Sequence, residues 1–398
     1  MALIMETRLL LRKVKDLRCF TPRRTRVKEK WAATRPKFPP TKLALQHFDA
    51  TYSVQLGKLW PSVRVALLSE RKYGALLNNF SHDGVLEDLQ AQGCRDFISD
   101  KAEEAQPCLE LSSEVESRRD CMSTNKSADN SQQLSSLQFS PNIKCLVFPR
   151  GDITRFKPAK PDTYGLLGYY LMDAASLLPC LALDVQEGHT VLDLCAAPGG
   201  KTLALHQMQI VRFLCVNDTS VSRTLRLKRV LHSYTPKELL TVEKLRITSF
   251  DGTKWGEIES NTFDRVLVDV PCTTDRHSVM EDDNNIFSKS RIGERRRLPQ
   301  LQLELLLAGI EAACPGGEIL YSTCTLSQSQ NLAVVEQAIH LARQNHGIHL
   351  QVVGLRHLTQ MFRNTFHFAP DLHLGEMVIP HLAANFGPIY MCKLKRLT

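Results

Sequence analysis

Two cysteines stand where the chain leaves an apolar run. Asp269-Val-Pro-Cys272 follows the run 265–268, and Tyr321-Ser-Thr-Cys324 follows 319–321. A lone cysteine is ordinarily a small buried hydrophobe, and Cys94, Cys180 and Cys215 read that way. A pair at two strand ends asks for another explanation. A free thiol has a pKa of about 8.5, so a nucleophilic one needs a polar or electropositive setting. A strand-end cleft near Lys201 offers that setting.

A second constellation lies upstream. The run 189–194 passes into Asp193-Leu-Cys-Ala-Ala-Pro-Gly199-Gly200-Lys201-Thr202. A buried strand, a glycine turn and a helix start make a cradle in which backbone N–H groups face a ligand. A plain tight turn is the alternative. Gly200-Lys201-Thr202 also matches the end of a phosphate-binding P-loop, but the glycine required five positions earlier is Cys195. Acids at strand ends favour a ribose-bearing cofactor instead. Asp218 follows the glycines by about 20 residues, where a carboxylate can take both ribose hydroxyls. Asp251-Gly252 and Asp269 close the next two runs.

These residues need a sheet that puts all of them on one rim. From residue 145 onward short β-rich runs alternate with helical stretches, the pattern of a parallel sheet covered on both faces. Strands are expected at 190–194, 213–217, 245–248, 265–268, 319–321 and 389–394, and helices at 202–209, 222–234 and 301–313. Ser327 with Gln330 forms a capping box for a last helix whose buried stripe is Leu332, Val335, Ile339 and Ala342. Residues 41–100 read as helical, from Leu43, Leu45, Phe48 and Tyr52 and from Trp60, Val63, Ala66 and Leu67. Residues 101–142 hold nine serines and a single aromatic, Phe139. Such a segment buries too little to offset its ordering entropy and reads as a disordered linker.

Composition bounds the rest. The 398 residues suggest two or three folded units, and 43% apolar with 23% charged residues excludes disorder throughout. The most apolar region, 166–183, carries Asp173, which argues against a membrane span. None of the twelve cysteines is spaced C-x-x-C, so no metal site is expected, and reduced thiols fit an intracellular compartment. The net charge of +8 is concentrated: residues 1–40 carry twelve Lys/Arg against three acids, and the remainder sums to about −1. Leucines beside arginines over 1–26 read as a mitochondrial presequence, with a solvated basic arm or a phosphate-binding tail as alternatives. Further basic clusters lie at 223–229 and at Lys289, Arg291, Arg295, Arg296 and Arg297.

Ala196-Ala-Pro-Gly-Gly-Lys201, Asp269-Val-Pro-Cys272 and Ser322-Thr-Cys324 resemble the signatures of the Nol/Nop/Sun family of RNA cytosine-5 methyltransferases. Tyr170-Leu-Met-Asp173-Ala-Ala-Ser176 is similar to the segment before that family's first strand, with Met172 where glutamine is usual. The likeness spans about 145–397 and is strongest to the family's mitochondrial ribosomal-RNA branch. It implies an α/β S-adenosylmethionine-dependent methyltransferase (Rossmann-like) doubly wound sheet over 143–398, with a small, mainly helical part at 27–100. Gly199, Gly200 and Lys201 would lie beside S-adenosylmethionine. Asp218 with Arg223 would hold its ribose, Asp251 and Gly252 would border its adenine, and Asp269 would complete the cofactor set. Cys324 would add to carbon 6 of cytosine, Cys272 would assist release, and Asp269 would hydrogen-bond the base near N3. The resemblance further implies ribosomal RNA of the mitochondrial small subunit as substrate, ribosome assembly in the matrix as setting, and a heterodimer with a protein of the mitochondrial transcription-termination-factor family. Transfer RNA as substrate and a ribosome-assembly scaffold with little catalysis are the alternatives.

Overall fold

Alternation along the central strands decides the architecture. In Val191-Leu192, Val266-Leu267-Val268 and Ile319-Leu320-Tyr321 successive side chains enter two different hydrophobic cores. A strand buried on both faces reads as a continuous apolar run and must carry helices on both sides. The computed structural model describes residues 38–81, 84–99, 139–370 and 372–398. Its strands are β1 Gly74–Leu77, β2 Arg95–Asp96, β3 Cys145–Val147, β4 Tyr169–Met172, β5 Thr190–Asp193, β6 Phe213–Asn217, β7 Leu245–Thr248, β8 Phe263–Asp269, β9 Ala313–Thr323, β10 Leu350–Val353, β11 Glu376–Val378 and β12 Ile389–Arg396. All six strands expected from the sequence are among them.

The large sheet runs β10-β12-β9-β8-β5-β6-β7, with β11 also paired to β12. Strands β5 to β9 are mutually parallel, and β12 enters antiparallel against β9. Successive strands move outward from β5 to β7, then return to build β8 and β9 on the other side. The carboxyl ends of β5 and β8 therefore flank the point where strand order reverses, the place where such sheets bind ligands.

The helices are α1 Pro40–Leu56, α2 Trp60–Leu68, α3 Val85–Ala91, α4 Leu178–Ala182, α5 Gly200–Gln207, α6 Val221–Tyr234, α7 Trp255–Ile258, α8 Asp275–Met280, α9 Ile292–Ala312, α10 Leu332–His346 and α11 Arg356–Phe362. One core joins the sheet to α4, α5, α6 and α11 through Leu181, Leu203, Leu227 and Phe362. The other joins it to α1, α2, α9 and α10 through Phe48, Trp60, Leu306 and Val335. Among the described residues, no helix is long and apolar enough to cross a membrane.

The region 41–100 supplies the expected helices and also two strands. In a second, antiparallel sheet of order β2-β3-β1-β4, β1 pairs with β3 and β4, which lie beyond residue 143. The described residues from 40 to 398 accordingly form a single packed unit. The expected presequence at 1–26 and all of the linker 101–142 except 139–142 lie outside the described residues.

The capping box does not form. Ser327 makes no side-chain cap, and a short 3-10 turn, Gln328–Gln330, precedes α10. The Gln330 side chain turns inward instead, where its oxygen accepts from Thr273 N–H at 3.1 Å. A buried amide donor left unpaired costs more than a surface cap returns.

Helix α9 lies close on β8 because Gly309 has no side chain. A Cβ there would stand 2.6 Å from Val268 Cγ2, one residue before Asp269. Gly309→Ala is expected to destabilise the protein by about 1–3 kcal/mol, as overpacked cores do, read as a lower urea midpoint at unchanged slope.

Candidate active site

Parallel pairing of β8 with β9 sets Asp269 opposite Ser322. Three residues beyond Asp269 and two beyond Ser322, the chain reaches Cys272 and Cys324, and their Sγ atoms lie 3.2 Å apart. The N–H groups of Thr274 and Cys324 both donate to Cys272 Sγ at 3.4 Å. Backbone donors stabilise a thiolate at the sulfur they reach. The hydrogen bond to Cys272, and then burial, push the Cys324 thiol well above its ordinary pKa. Cys324 therefore holds its proton in the resting pair.

Asp269 is held from two sides. Lys201 Nζ contacts its Oδ2 at 2.7 Å, and Ser322 Oγ donates to Oδ1 at 2.7 Å. Burial works to deprotonate Lys201, but the Asp269 carboxylate outweighs it and holds the ammonium charged above its ordinary range. The fixed positive charge lies beside a carboxylate and near both thiols.

The glycine loop is shaped by its neighbours. Gly199 has φ +113°, and a Cβ on it would meet Leu227 Cδ1 at 2.7 Å, so only glycine lets the loop cross α6. The loop is tied to β6 through Ala196 N–H and Asn217 O at 2.8 Å. Gly200 and Lys201 then open α5. A cavity of about 160 Å³ follows, lined by Tyr170, Met172, Asp193, Pro198, Gly200, Lys201 and Asp269 among others. Clefts of about 260 and 200 Å³ lie elsewhere, around Lys72 and Phe148, and gather none of the candidate catalytic or cofactor residues.

The remaining sequence candidates take the rim places expected of them. Asp218 follows β6, is 2% exposed, and pairs with Arg223 Nη1 at 3.3 Å. The other Arg223 amine donates to Ala197 O, joining helix α6 to the glycine loop. Asp251 caps the turn after β7 by accepting from Thr253 N–H at 3.1 Å. Gly252 is buried, and a Cβ there would meet Leu305 Cδ2 at 2.8 Å, so the glycine lets this leucine pack close against the turn.

Asp193 was missing from the candidates. It ends β5, its Oδ2 accepts from Thr202 Oγ1 at 2.6 Å, and its buried Oδ1 has no partner. Burial raises its pKa to about 7. An unpaired carboxylate oxygen in the wall of a cavity that the charged Lys201 also lines suits an amino-acid zwitterion. The nucleoside part of S-adenosylmethionine suits Asp218. The donor set therefore fits that cofactor. Asp193 sits at the end of the same apolar run as the glycine loop, and its position as a fourth strand-end acid was the available signal.

Of the second basic cluster, Arg291 is tied to Glu294 and Asn284, and Arg295 covers the Phe287 ring at 4.5 Å. Lys289, Arg296 and Arg297 remain exposed. Among the described residues, no three His, Cys, Asp or Glu side chains converge as metal ligands.

Residues 180–389 match the family model described as 16S rRNA methyltransferase RsmB/F. The chain is 52% identical over 400 residues to the 5-cytosine rRNA methyltransferase NSUN4 of Xenopus laevis, covering 98% of each. It is 33% identical over 359 residues to the mitochondrial tRNA (cytosine(34)-C(5))-methyltransferase of Mus musculus, covering 89% of this chain and 90% of that one. Among solved structures, a methyltransferase homologue from Pyrococcus horikoshii shares the fold, with a TM-score of 0.56 at 20% identity over 92% of this chain and 100% of that chain. The family model spans more than half of the sequence and the relatives match nearly end to end, with the two thiols, the lysine and the strand-end acids all in place on one rim. The chain belongs to the RsmB/F family of rRNA methyltransferases and is an enzyme that methylates carbon 5 of cytosine in ribosomal RNA.

Proposed function

We propose that the chain methylates carbon 5 of a cytosine in mitochondrial small-subunit ribosomal RNA, through a covalent adduct on Cys324, in support of mitochondrial ribosome assembly. The observation that carries the mechanism is the contact of the two thiols at 3.2 Å beside the Lys201–Asp269 pair. S-adenosylmethionine, when bound, supplies an electrophilic methyl group. Gly199, Gly200, Lys201 and Asp193 would hold its amino-acid end, Asp218 with Arg223 its ribose, and Asp251 with Gly252 the adenine edge.

Carbon 5 of cytosine is a poor nucleophile, and the residues answer that difficulty. Cys324 Sγ bonds to carbon 6 while its proton passes to the Cys272 sulfur in contact with it, which takes the proton as a thiolate. The electrons of the 5,6 double bond shift toward carbon 5 and N3. N3 takes a proton from water as charge builds there, and the Asp269 carboxylate stabilises the protonated form by accepting a hydrogen bond from N3–H. After methylation N3 returns its proton to water, and water takes the proton from carbon 5. The freed electrons re-form the 5,6 double bond as the bond from carbon 6 to Cys324 breaks, and Cys272 assists that departure by returning its proton to the Cys324 thiolate. Dividing one hard step in two is the gain from covalent catalysis.

The target base must leave any stack to reach a pocket recessed at strand ends, which favours a loop or an exposed cytosine. Phosphate neutralisation supplies most non-specific affinity. The chain after residue 40 sums to about −1, with the net +9 confined to residues 1–40, so the body binds RNA weakly and borrows affinity from a helical-repeat protein of the mitochondrial transcription-termination-factor family. The basic start would carry the address to the mitochondrial matrix. Transfer RNA is the second reading, favoured by the identity with the mouse mitochondrial enzyme.

With tritiated S-adenosylmethionine and mitochondrial small-subunit ribosomal RNA, label should appear in 5-methylcytosine and disappear in Cys324→Ala. Label entering only transfer RNA moves the substrate to the second reading, and label persisting in Cys324→Ala refutes the nucleophile. In filter binding, the isolated chain should hold the RNA weakly and lose it as salt rises, with a factor of the partner family restoring affinity. Tight binding by the isolated chain contradicts the borrowed-affinity argument.

A further inference from the structure

Behind the two thiols lies a polar lattice shut off from water that the methyl-transfer chemistry leaves unused. Thr273 and Thr325 each directly follow a site cysteine. Asp275 opens α8, Gln330 closes the turn before α10, Gln302 lies within α9, and Tyr52 comes from α1. All six are buried. Uncompensated polar groups at such depth cost about 1–3 kcal/mol each, so a lattice of them persists only where its partners are met.

All but Gln302 Oε1 are met, in a pattern that grips both cysteine loops. Asp275 Oδ1 accepts from Thr273 Oγ1 at 2.8 Å, on the Cys272 side. Its Oδ2 accepts from Leu326 N–H at 2.8 Å, on the Cys324 side, and its own N–H donates to Cys324 O at 3.3 Å. Thr273 Oγ1 and Thr325 Oγ1 meet at 2.8 Å, directly beneath the thiols. Gln330 Oε1 receives Thr273 N–H at 3.1 Å and Gln302 Nε2 at 3.1 Å, and Gln302 Nε2 also reaches Pro271 O at 2.8 Å. Tyr52 closes the lattice from outside the sheet: its O–H donates to Asp275 Oδ2 at 2.8 Å and lies 3.2 Å from Thr325 Oγ1. Phe48 stacks on Tyr52 at 4.9 Å and Trp60 meets its edge at 5.5 Å, which fixes the ring.

We propose that Tyr52, Asp275 and Thr325 are positioning residues that hold the Cys324 loop against the Cys272 loop, so that the Cys324 proton crosses directly to Cys272 as carbon 6 is attacked. The inference rests on Cys324 being the nucleophile. It gives α1 a part in the reaction without contact to RNA or cofactor. A thiol moved by a fraction of an ångström breaks the proton path while leaving the cofactor cavity and the RNA surface as they were.

The test uses the full-length chain with mitochondrial small-subunit ribosomal RNA and tritiated S-adenosylmethionine. Tyr52→Phe and Thr325→Val each remove a hydroxyl at nearly constant volume, and Thr325→Ser restores one. The two losses should lower kcat about ten- to a hundred-fold, in line with the sensitivity of covalent steps to misplacement, with KM for RNA and cofactor unchanged. Thr325→Ser should recover most of kcat. Thermal unfolding and the folded fraction are measured in parallel. Unchanged kcat per folded molecule in Tyr52→Phe and Thr325→Val, with Cys324→Ala inactive, overturns the proposal alone. Equal loss in Thr325→Ser and Thr325→Val also overturns it, since packing rather than the hydroxyl would then matter. Methylation by Cys324→Ala overturns the nucleophile reading beneath it.

Discussion

The contact between Cys272 and Cys324 depends on one register. Asp269 of β8 pairs with Ser322 of β9 in a parallel ladder, so two chain segments leave the sheet side by side and in the same direction. Had β9 slipped by one residue, every side chain on it would have changed faces. Tyr321 would have left the core it fills, and the thiols would no longer meet. The same register brings Ser322 to Asp269, and Asp269 fixes the ammonium of Lys201 at the end of the glycine loop. Sheet pairing thus sets Asp269, its lysine partner and both thiols at once.

Helices keep that register from relaxing. Helix α9 presses on β8 through Gly309, and the second core closes the same face of the sheet with α1, α2 and α10. Close packing makes such contacts discrete, because an interior at this density does not tolerate gradual shifts. Buried polar groups add direction where apolar packing gives none. The lattice from Tyr52 through Asp275 and Thr325 to Gln330 joins three separate stretches of chain, and each of these residues has a partner at hydrogen-bonding distance.

What the sequence revealed follows the same physics. Strands β5, β6, β7, β8, β9 and β12 were legible because burial on both faces leaves unbroken apolar runs. The motif residues were legible because they punctuate those runs at one end. Strand β10, Leu350–Val353, was not, since Gln351 and Val352 are exposed and the alternation is too short to register. Strands β1 and β3 are brief and pair across a long interval of sequence, with no turn between them to announce a hairpin. Gln330 carried a misleading local signal, in which a capping spacing concealed an inward role. Tyr52 carried none: it read as one more residue in an apolar stripe, and its partner Asp275 lies 223 positions away.

The division of labour between the thiols is most directly tested by trapping. Cys272→Ala is mixed with mitochondrial small-subunit ribosomal RNA and S-adenosylmethionine, then run on a denaturing gel, and any slow-moving band is mapped by mass spectrometry. If Cys324 forms the bond to carbon 6 and Cys272 both takes its proton and assists its release, a protein–RNA adduct forms more slowly in Cys272→Ala, with water as the base, but accumulates because it is not released. It is mapped to Cys324 and is absent from Cys324→Ala. An adduct that forms in Cys324→Ala, or none in Cys272→Ala under conditions where the wild-type chain methylates, contradicts the account.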